Sequence, residues 1–285
     1  MNRIRRISSA LFLLLIAAPL FAQQPARRTD PSLLSLDTIF TYSPQSLGWY
    51  QWQSDGGGYL MLEPSGAAKD ALDIVRYDAT TGARTILVSA RSLTPPEVSS
   101  PLTIEEFTLS DDNRRLLIFT NSERVWRSNT RGDYWVFDLK SAKLRKLGGD
   151  AKPSTLMFAK FSPDATRVGY VRENNIYVEN LDDGHIIQLT SDGAEHTING
   201  TFDWVYEEEL FCRDGWRWSP DGKLIAYWQL DSSGVKEFKL IDDTDDLYPK
   251  ITSFPYPKAG ETNSAARVGV VSASGGKTRW FDVPG

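Results

Sequence analysis

One short pattern recurs in this chain of 285 residues and narrows its fold more than any other feature. The stretches 107–119, 159–170 and 216–227 each run apolar residue, serine, tight turn, alternating apolar strand. Aligned on Ser110, Ser162 and Ser219, they lie 52 and 57 residues apart. In the third copy the turn is Ser219-Pro220-Asp221-Gly222, where proline presets φ and glycine accepts a positive φ. A second strand follows each hairpin, Tyr134–Leu139 and Ile176–Leu181, and then a third, Ala142–Leu147 and His185–Leu189. A less regular copy runs earlier, from Trp49 through Tyr59–Leu62 and Asp73–Tyr77 to Arg84–Val88.

About four units of four short strands are therefore expected, an all-β chain built as a β-propeller of four-stranded blades. A lone blade cannot cover both of its faces, so blades stack. A β-sandwich is the competing fold, and the near-constant spacing of the serine hairpins argues against it. After the fourth unit the sequence reads as irregular, and an open ring would expose edge strands. The expectation is a small propeller or part of a larger one.

Residues 1–22 read as a secretory signal peptide: Arg3, Arg5 and Arg6, an apolar run over Leu11–Ala18, then Pro19 and a small residue, Ala22, before the cut. The run is short for a membrane span. The expected domains are this leader, a lead-in over 23–45 and the partial propeller over 46–285, with periplasmic or extracellular localisation. Removing the leader takes away three arginines and no acid, so a net charge of −5 becomes −8. An acidic chain lacks the basic face that nucleic acid requires. The single cysteine, Cys212, excludes an internal disulfide framework.

Several chemistries are excluded by pattern. No Gly-x-Ser-x-Gly elbow occurs. His185 and His196 have no metal-ligand spacing, and no cofactor or metal is expected. Gly222-Lys223 is followed by Leu224, against a P-loop. Asp242–Asp246 lacks the glycine and the spaced glutamate of a calcium loop and reads as solvated.

The stretch Asp203-Trp-Val-Tyr-Glu207-Glu208-Glu209-Leu-Phe211 interrupts the strand pattern between two blades. Thr201 or Asp203 can cap a short helix there, with acids in its first turns. Two readings stay open on the residues alone. One is a solvated, well-capped turn. The other is an ammonium site, in which adjacent carboxylates repel each other and a cation relieves the repulsion.

Asp203–Glu209 resembles the signature of the dipeptidyl peptidase IV family, in the prolyl oligopeptidase group of serine peptidases. The likeness runs on through Trp218–Gly222, Ala226-Tyr227, Tyr248–Lys250, Pro255–Gly260 and Asn263, and covers about residues 33–285. Trp126-Arg127 followed by Tyr134 and Phe137–Leu139 resembles the family's arginine-bearing loop. The resemblance implies an eight-bladed propeller over a C-terminal α/β-hydrolase domain. Its substrates are peptides with a free N-terminus, cut two residues in, after proline or alanine. Glu208 and Glu209 match the pair that grips the ammonium, and Arg127 matches the arginine on a substrate carbonyl.

The resemblance also implies a homodimer in the intact protein. Nothing in this sequence corresponds to the family's catalytic Ser, Asp and His. The expected role is the substrate-gating and amine-anchoring part of an exported exopeptidase, inactive without the hydrolase domain. Many relatives have Asn-Pro where this chain has Asn263-Ser264. The alternative is a non-enzymatic exported propeller that binds peptides or serves as a scaffold. A propeller glycosidase fits less well, because it needs two carboxylates facing each other across a bond.

Overall fold

The computed structural model describes residues 34–44 and 48–283; the expected leader lies outside them. The chain divides into two units, before and after Gly48. In the first, Ser35 caps a short helix, α1 (Leu36–Thr41), accepting from the Thr38 amide at 3.0 Å. Among the described residues no helix is long and apolar enough to cross a membrane.

The regular structure of the second unit is nearly all β, arranged as four propeller blades. Blade 1 is the sheet β1 (Tyr50–Trp52), β2 (Gly58–Pro64), β3 (Leu72–Asp78), β4 (Arg84–Val88), antiparallel and in sequence order. Blade 2 follows with β5 (Glu106–Leu109), β6 (Arg115–Arg124), β7 (Asn129–Asp138) and β8 (Lys143–Lys146). Blade 3 is β9 (Leu156–Phe161), β10 (Arg167–Arg172), β11 (Asn175–Asn180) and β12 (Ile186–Gln188). Strands β6 and β7 are ten residues each, long enough for β7 to pair with β9 at Arg131↔Met157 and Gly132↔Leu156. That contact fuses blades 2 and 3 into one eight-stranded sheet.

Blade 4 differs from the others in two places. Its inner edge is in two pieces, β13 (Thr197–Asn199) and β14 (Trp216–Trp218), which pair with the far and near halves of β15 (Leu224–Asp231). Its outer strands are β18 (Ala265–Ser272) and β19 (Arg279–Trp280). Between β15 and β18 the chain leaves the blade as a two-stranded arm, β16 (Glu237–Asp242) and β17 (Lys250–Pro255). The stretch expected to be irregular is therefore this arm plus the completion of the fourth blade. The acidic run at 242–246 belongs to the turn of the arm, where Asp242 accepts from the Thr244 amide and hydroxyl at 3.1 and 2.7 Å.

Strand periodicity assigns each face of a blade to a different core. In β6, Leu116 and Ile118 pack with Leu60 and Ile74 of blade 1, while Leu117 packs with Val168 and Tyr170 of blade 3. In β11, Tyr177 joins the blade 2 side, and Ile176 and Val178 pack with Trp216 and Ile225 of blade 4. Side chains alternate across a strand, so each middle blade is clamped between two neighbours. Each fully buried leucine or isoleucine contributes about 1.5–3 kcal/mol.

The serine turns repeat atom by atom. Ser110, Ser162 and Ser219 each donate to the aspartate two residues on, at 2.6, 2.5 and 2.6 Å. Each also accepts from the amide five residues on, at 2.9, 3.0 and 2.9 Å. The fourth turn position has positive φ in all three, at Asn113, Ala165 and Gly222. A further copy lies in blade 1, where Gln53 stands in for the serine, Asp55 accepts from the Gly57 amide at 2.8 Å and Gly56 has φ 71°.

Candidate functional site

The helix expected near residue 205 is α2 (Trp204–Leu210), and it lies inside blade 4 rather than between two blades. It is an excursion from the inner edge, between β13 and β14, closed at its base by a bridge between Thr201 and Asp214. Asp203 is the cap: its Oδ1 accepts from the Tyr206 amide at 3.2 Å. Its Oδ2 accepts from the Ser264 hydroxyl at 2.5 Å. One buried carboxylate thus starts the helix and ties it to the root of β18. Phe211 ends the helix in the left-handed region at φ 57°.

The three consecutive acids have three different environments. Glu207 is buried and takes Arg213 Nε at 3.2 Å. Burial pushes its carboxyl up, against the lowering effect of the Arg213 charge and hydrogen bond, and the Glu208 charge pushes it further. The Glu208 side chain is only 4% exposed. Its Oε2 pairs with Arg127 Nε, and its Oε1 is buried with no hydrogen-bond partner. Glu209 is exposed, and its carboxylate has no ion pair or hydrogen bond among the described residues.

Arg127 reaches Glu208 because the β6–β7 hairpin overshoots its blade. Arg124 and Asn129 close the hairpin, with the Val125 amide donating to the Ser128 carbonyl at 3.0 Å. Arg124 Nε donates to the Trp126 carbonyl at 2.8 Å, which pins the tip. The Arg127 side chain is 76% exposed, so its outer face is open to a second partner.

Hairpin tip, helix and arm line an open cleft of about 860 Å³. Trp126, Trp204 and Phe254 form apolar walls, Glu208 and Arg127 line it, and Lys250 brings a further cation from the arm. Of the three expected site residues, the fold brings Arg127 and Glu208 together in this cleft, while Glu209 is not among its lining residues. The Glu207–Arg213 pair and the arm wall had no sequence-level signal beyond the run of acids itself. Among the described residues, no group of three or more His, Cys, Asp or Glu could hold a metal ion.

Comparison with known proteins gives a consistent result. The family model described as the dipeptidyl peptidase IV (DPP IV) N-terminal region matches residues 110–285. Dipeptidyl aminopeptidase B of Saccharomyces cerevisiae is 39% identical over 181 residues, covering 61% of this chain and 21% of the relative. A probable dipeptidyl-aminopeptidase B of Podospora anserina is 31% identical over 239 residues, covering 76% of this chain and 26% of the relative. The crystal structure of Porphyromonas gingivalis dipeptidyl peptidase 4 superposes with a TM-score of 0.76 at 27% identity, over 88% of this chain and 35% of that one. The chain spans about a quarter or less of the length of these curated relatives.

Proposed function

Because this chain belongs to the dipeptidyl peptidase IV family, by its N-terminal propeller region, we propose that it anchors the free N-terminus of a peptide in the cleft at Glu208. In this reading it is the substrate-gating part of an exported serine exopeptidase that releases Xaa-Pro or Xaa-Ala dipeptides. The bond-breaking groups reside in an α/β-hydrolase domain.

The observation that carries the reading is the half-satisfied Glu208 carboxylate. A buried carboxylate oxygen without a partner costs free energy. A primary ammonium supplies the missing donor and charge, and the walls of Trp126 and Trp204 can face the cation with their ring quadrupoles. Glu209, next along the helix, adds a second negative charge on the solvent side. The exposed face of Arg127 is available to a substrate carbonyl. Fixing the amine places the second peptide bond at a set distance, which is catalysis by orientation.

The test is a calorimetric titration with the dipeptide Gly-Pro and with N-acetyl-Gly-Pro. Glycyl-prolyl peptide should bind through its amine, and acetylation or Glu208→Gln should weaken it by about 2–5 kcal/mol. Equal binding of the two peptides would remove the amine-anchoring reading. Amine-dependent binding by the intact protein without hydrolysis of a Gly-Pro amide would favour the non-enzymatic peptide-binding module instead.

A further inference from the structure

Two elements far apart in sequence hold the ion pair of the cleft, and they meet on one ring. Phe254 of β17 lies 5.2 Å from Trp126 and 5.8 Å from Trp204, centroid to centroid. Trp126 immediately precedes Arg127 at the hairpin tip. Trp204 opens α2 one turn before Glu208, at the i, i+4 spacing that shares a helix face. No ring contact joins Trp126 to Trp204 directly among the described residues, so Phe254 is the bridge between them.

The burial along β17 singles out the same residue. Lys250 to Ser253 are exposed, and Phe254 alone is buried, at 7%. Phe238 lies across the arm from Phe254, in direct register, with its ring edge-on at 6.2 Å. Among the described residues Phe238 has no ring contact with Trp126 or Trp204; its other ring partner is Tyr256, at 5.3 Å, which packs on Trp204 at 4.4 Å but has no ring contact with Trp126.

We propose that Phe254 is a positioning residue for the amine site, setting how closely the hairpin tip and α2 approach and hence whether Arg127 meets Glu208. This rests on the reading of Glu208 as the amine anchor, and the arm thereby becomes part of the substrate cleft. A ring is required because it touches both tryptophans at once. An aliphatic side chain of lower reach leaves the tip and the helix to move independently.

The experiment uses the full chain with Phe254→Ala, Phe254→Tyr and Phe238→Ala. Affinity for Gly-Pro and its ratio to N-acetyl-Gly-Pro are read by calorimetry, with Tm alongside. Phe254→Ala should weaken Gly-Pro binding about tenfold, as expected for two lost aromatic contacts, and shrink the free-to-acetylated ratio. Phe254→Tyr should restore both. Phe238→Ala should lower Tm yet keep the wild-type affinity.

A second readout needs no ligand. Nitroxide labels at Asn129→Cys and Leu210→Cys, in a Cys212→Ser background, report the separation of hairpin and helix. That distribution should widen in Phe254→Ala and stay narrow in Phe238→Ala. Unchanged distances in Phe254→Ala, or equal losses of affinity in Phe254→Ala and Phe238→Ala, would overturn the proposal. If the wild type shows no preference for the free amine, the anchoring reading fails, and the label distances still decide whether Phe254 sets the approach.

Discussion

Arg127 satisfies one oxygen of the Glu208 carboxylate and leaves the other buried and bare. The two residues are on different blades, the arginine at the overshooting hairpin of blade 2 and the acid in the excursion of blade 4. The pair is asymmetric as well: the acid is almost fully enclosed and the guanidinium mostly in solvent. Such a pair contributes little net stability through its Coulomb attraction. Its effect is to hold a carboxylate ready, at a fixed place, with one acceptor site unused.

That asymmetry predicts the outcome of a double-mutant cycle. Arg127→Ala leaves a buried carboxylate with no cation, which costs more than losing an exposed arginine. Glu208→Gln in the same chain removes the stranded charge. Urea unfolding should therefore find Arg127→Ala destabilised by about 1–3 kcal/mol, and the double variant more stable than Arg127→Ala alone. Strict additivity of the two single changes would show that the pair is not coupled.

Ser264 makes a second prediction, because it ties the start of α2 to the start of β18. Its hydroxyl donates to Asp203 Oδ2 at 2.5 Å, and its amide donates to Asn263 Oδ1 at 2.9 Å. Ser264→Ala loses the first bond and leaves a buried carboxylate oxygen short of a donor, at a cost of about 1–3 kcal/mol. Ser264→Pro loses both donors and restricts Asn263 as well, so its Tm should be the lower of the two. If Ser264→Pro is as stable as wild type, the Asp203 tie to β18 is not what holds the helix in this chain.

The blades were legible in the sequence because their signal is local. Ser162 and Asp164 bond two residues apart, so the turn is written in adjacent letters. Blade 1 reads only as a less regular copy because Gln53 replaces the serine of its turn, although Asp55 and Gly56 keep the turn's geometry. Asp203 was readable as a helix cap for the same local reason. Arg127 and Glu208 were named only through family resemblance, since no spacing rule connects a hairpin tip to a helix in another blade. The three acids could not be told apart, because which of them turns inward depends on how the excursion is tied by Arg213 and Ser264. Phe254 was hidden altogether: its burial depends on the arm folding back, a tertiary event.

Glu207 gives a pH dependence whose sign can be worked out. Burial raises its carboxyl above the ordinary range, with Arg213 only partly opposing. The folded chain then holds this proton more tightly than the unfolded chain does. Stability rises with pH only where the unfolded state binds more protons, so this group makes stability fall as pH rises above the ordinary carboxylate range. Glu207→Gln removes the effect. The stability of wild type relative to Glu207→Gln should be lower at about pH 7 than at about pH 4, by urea unfolding at both. A difference that grows in the wild type's favour with pH would mean that the Arg213 pair outweighs burial.

Gly132 sets two opposite effects against each other at the point where blades 2 and 3 fuse. Replacing glycine by alanine in a compatible conformation stabilises by about 0.4–1 kcal/mol, through a less disordered unfolded chain. At Gly132 the added methyl would meet the Phe119 ring and stand 2.8 Å from the Thr120 carbonyl oxygen, which is backbone and cannot swing aside. Overpacking of this kind costs about 1–3 kcal/mol, so the clash wins. Gly66, whose methyl would have nothing within 4 Å, isolates the first effect. Gly132→Ala should lower Tm while Gly66→Ala leaves it unchanged or raises it. Because Gly132 pairs with Leu156 below the hairpin tip, the same change should also loosen Arg127 from Glu208 and weaken Gly-Pro binding. A Gly132→Ala chain with wild-type Tm and affinity would mean that the β7–β9 contact yields easily and does not brace the hairpin.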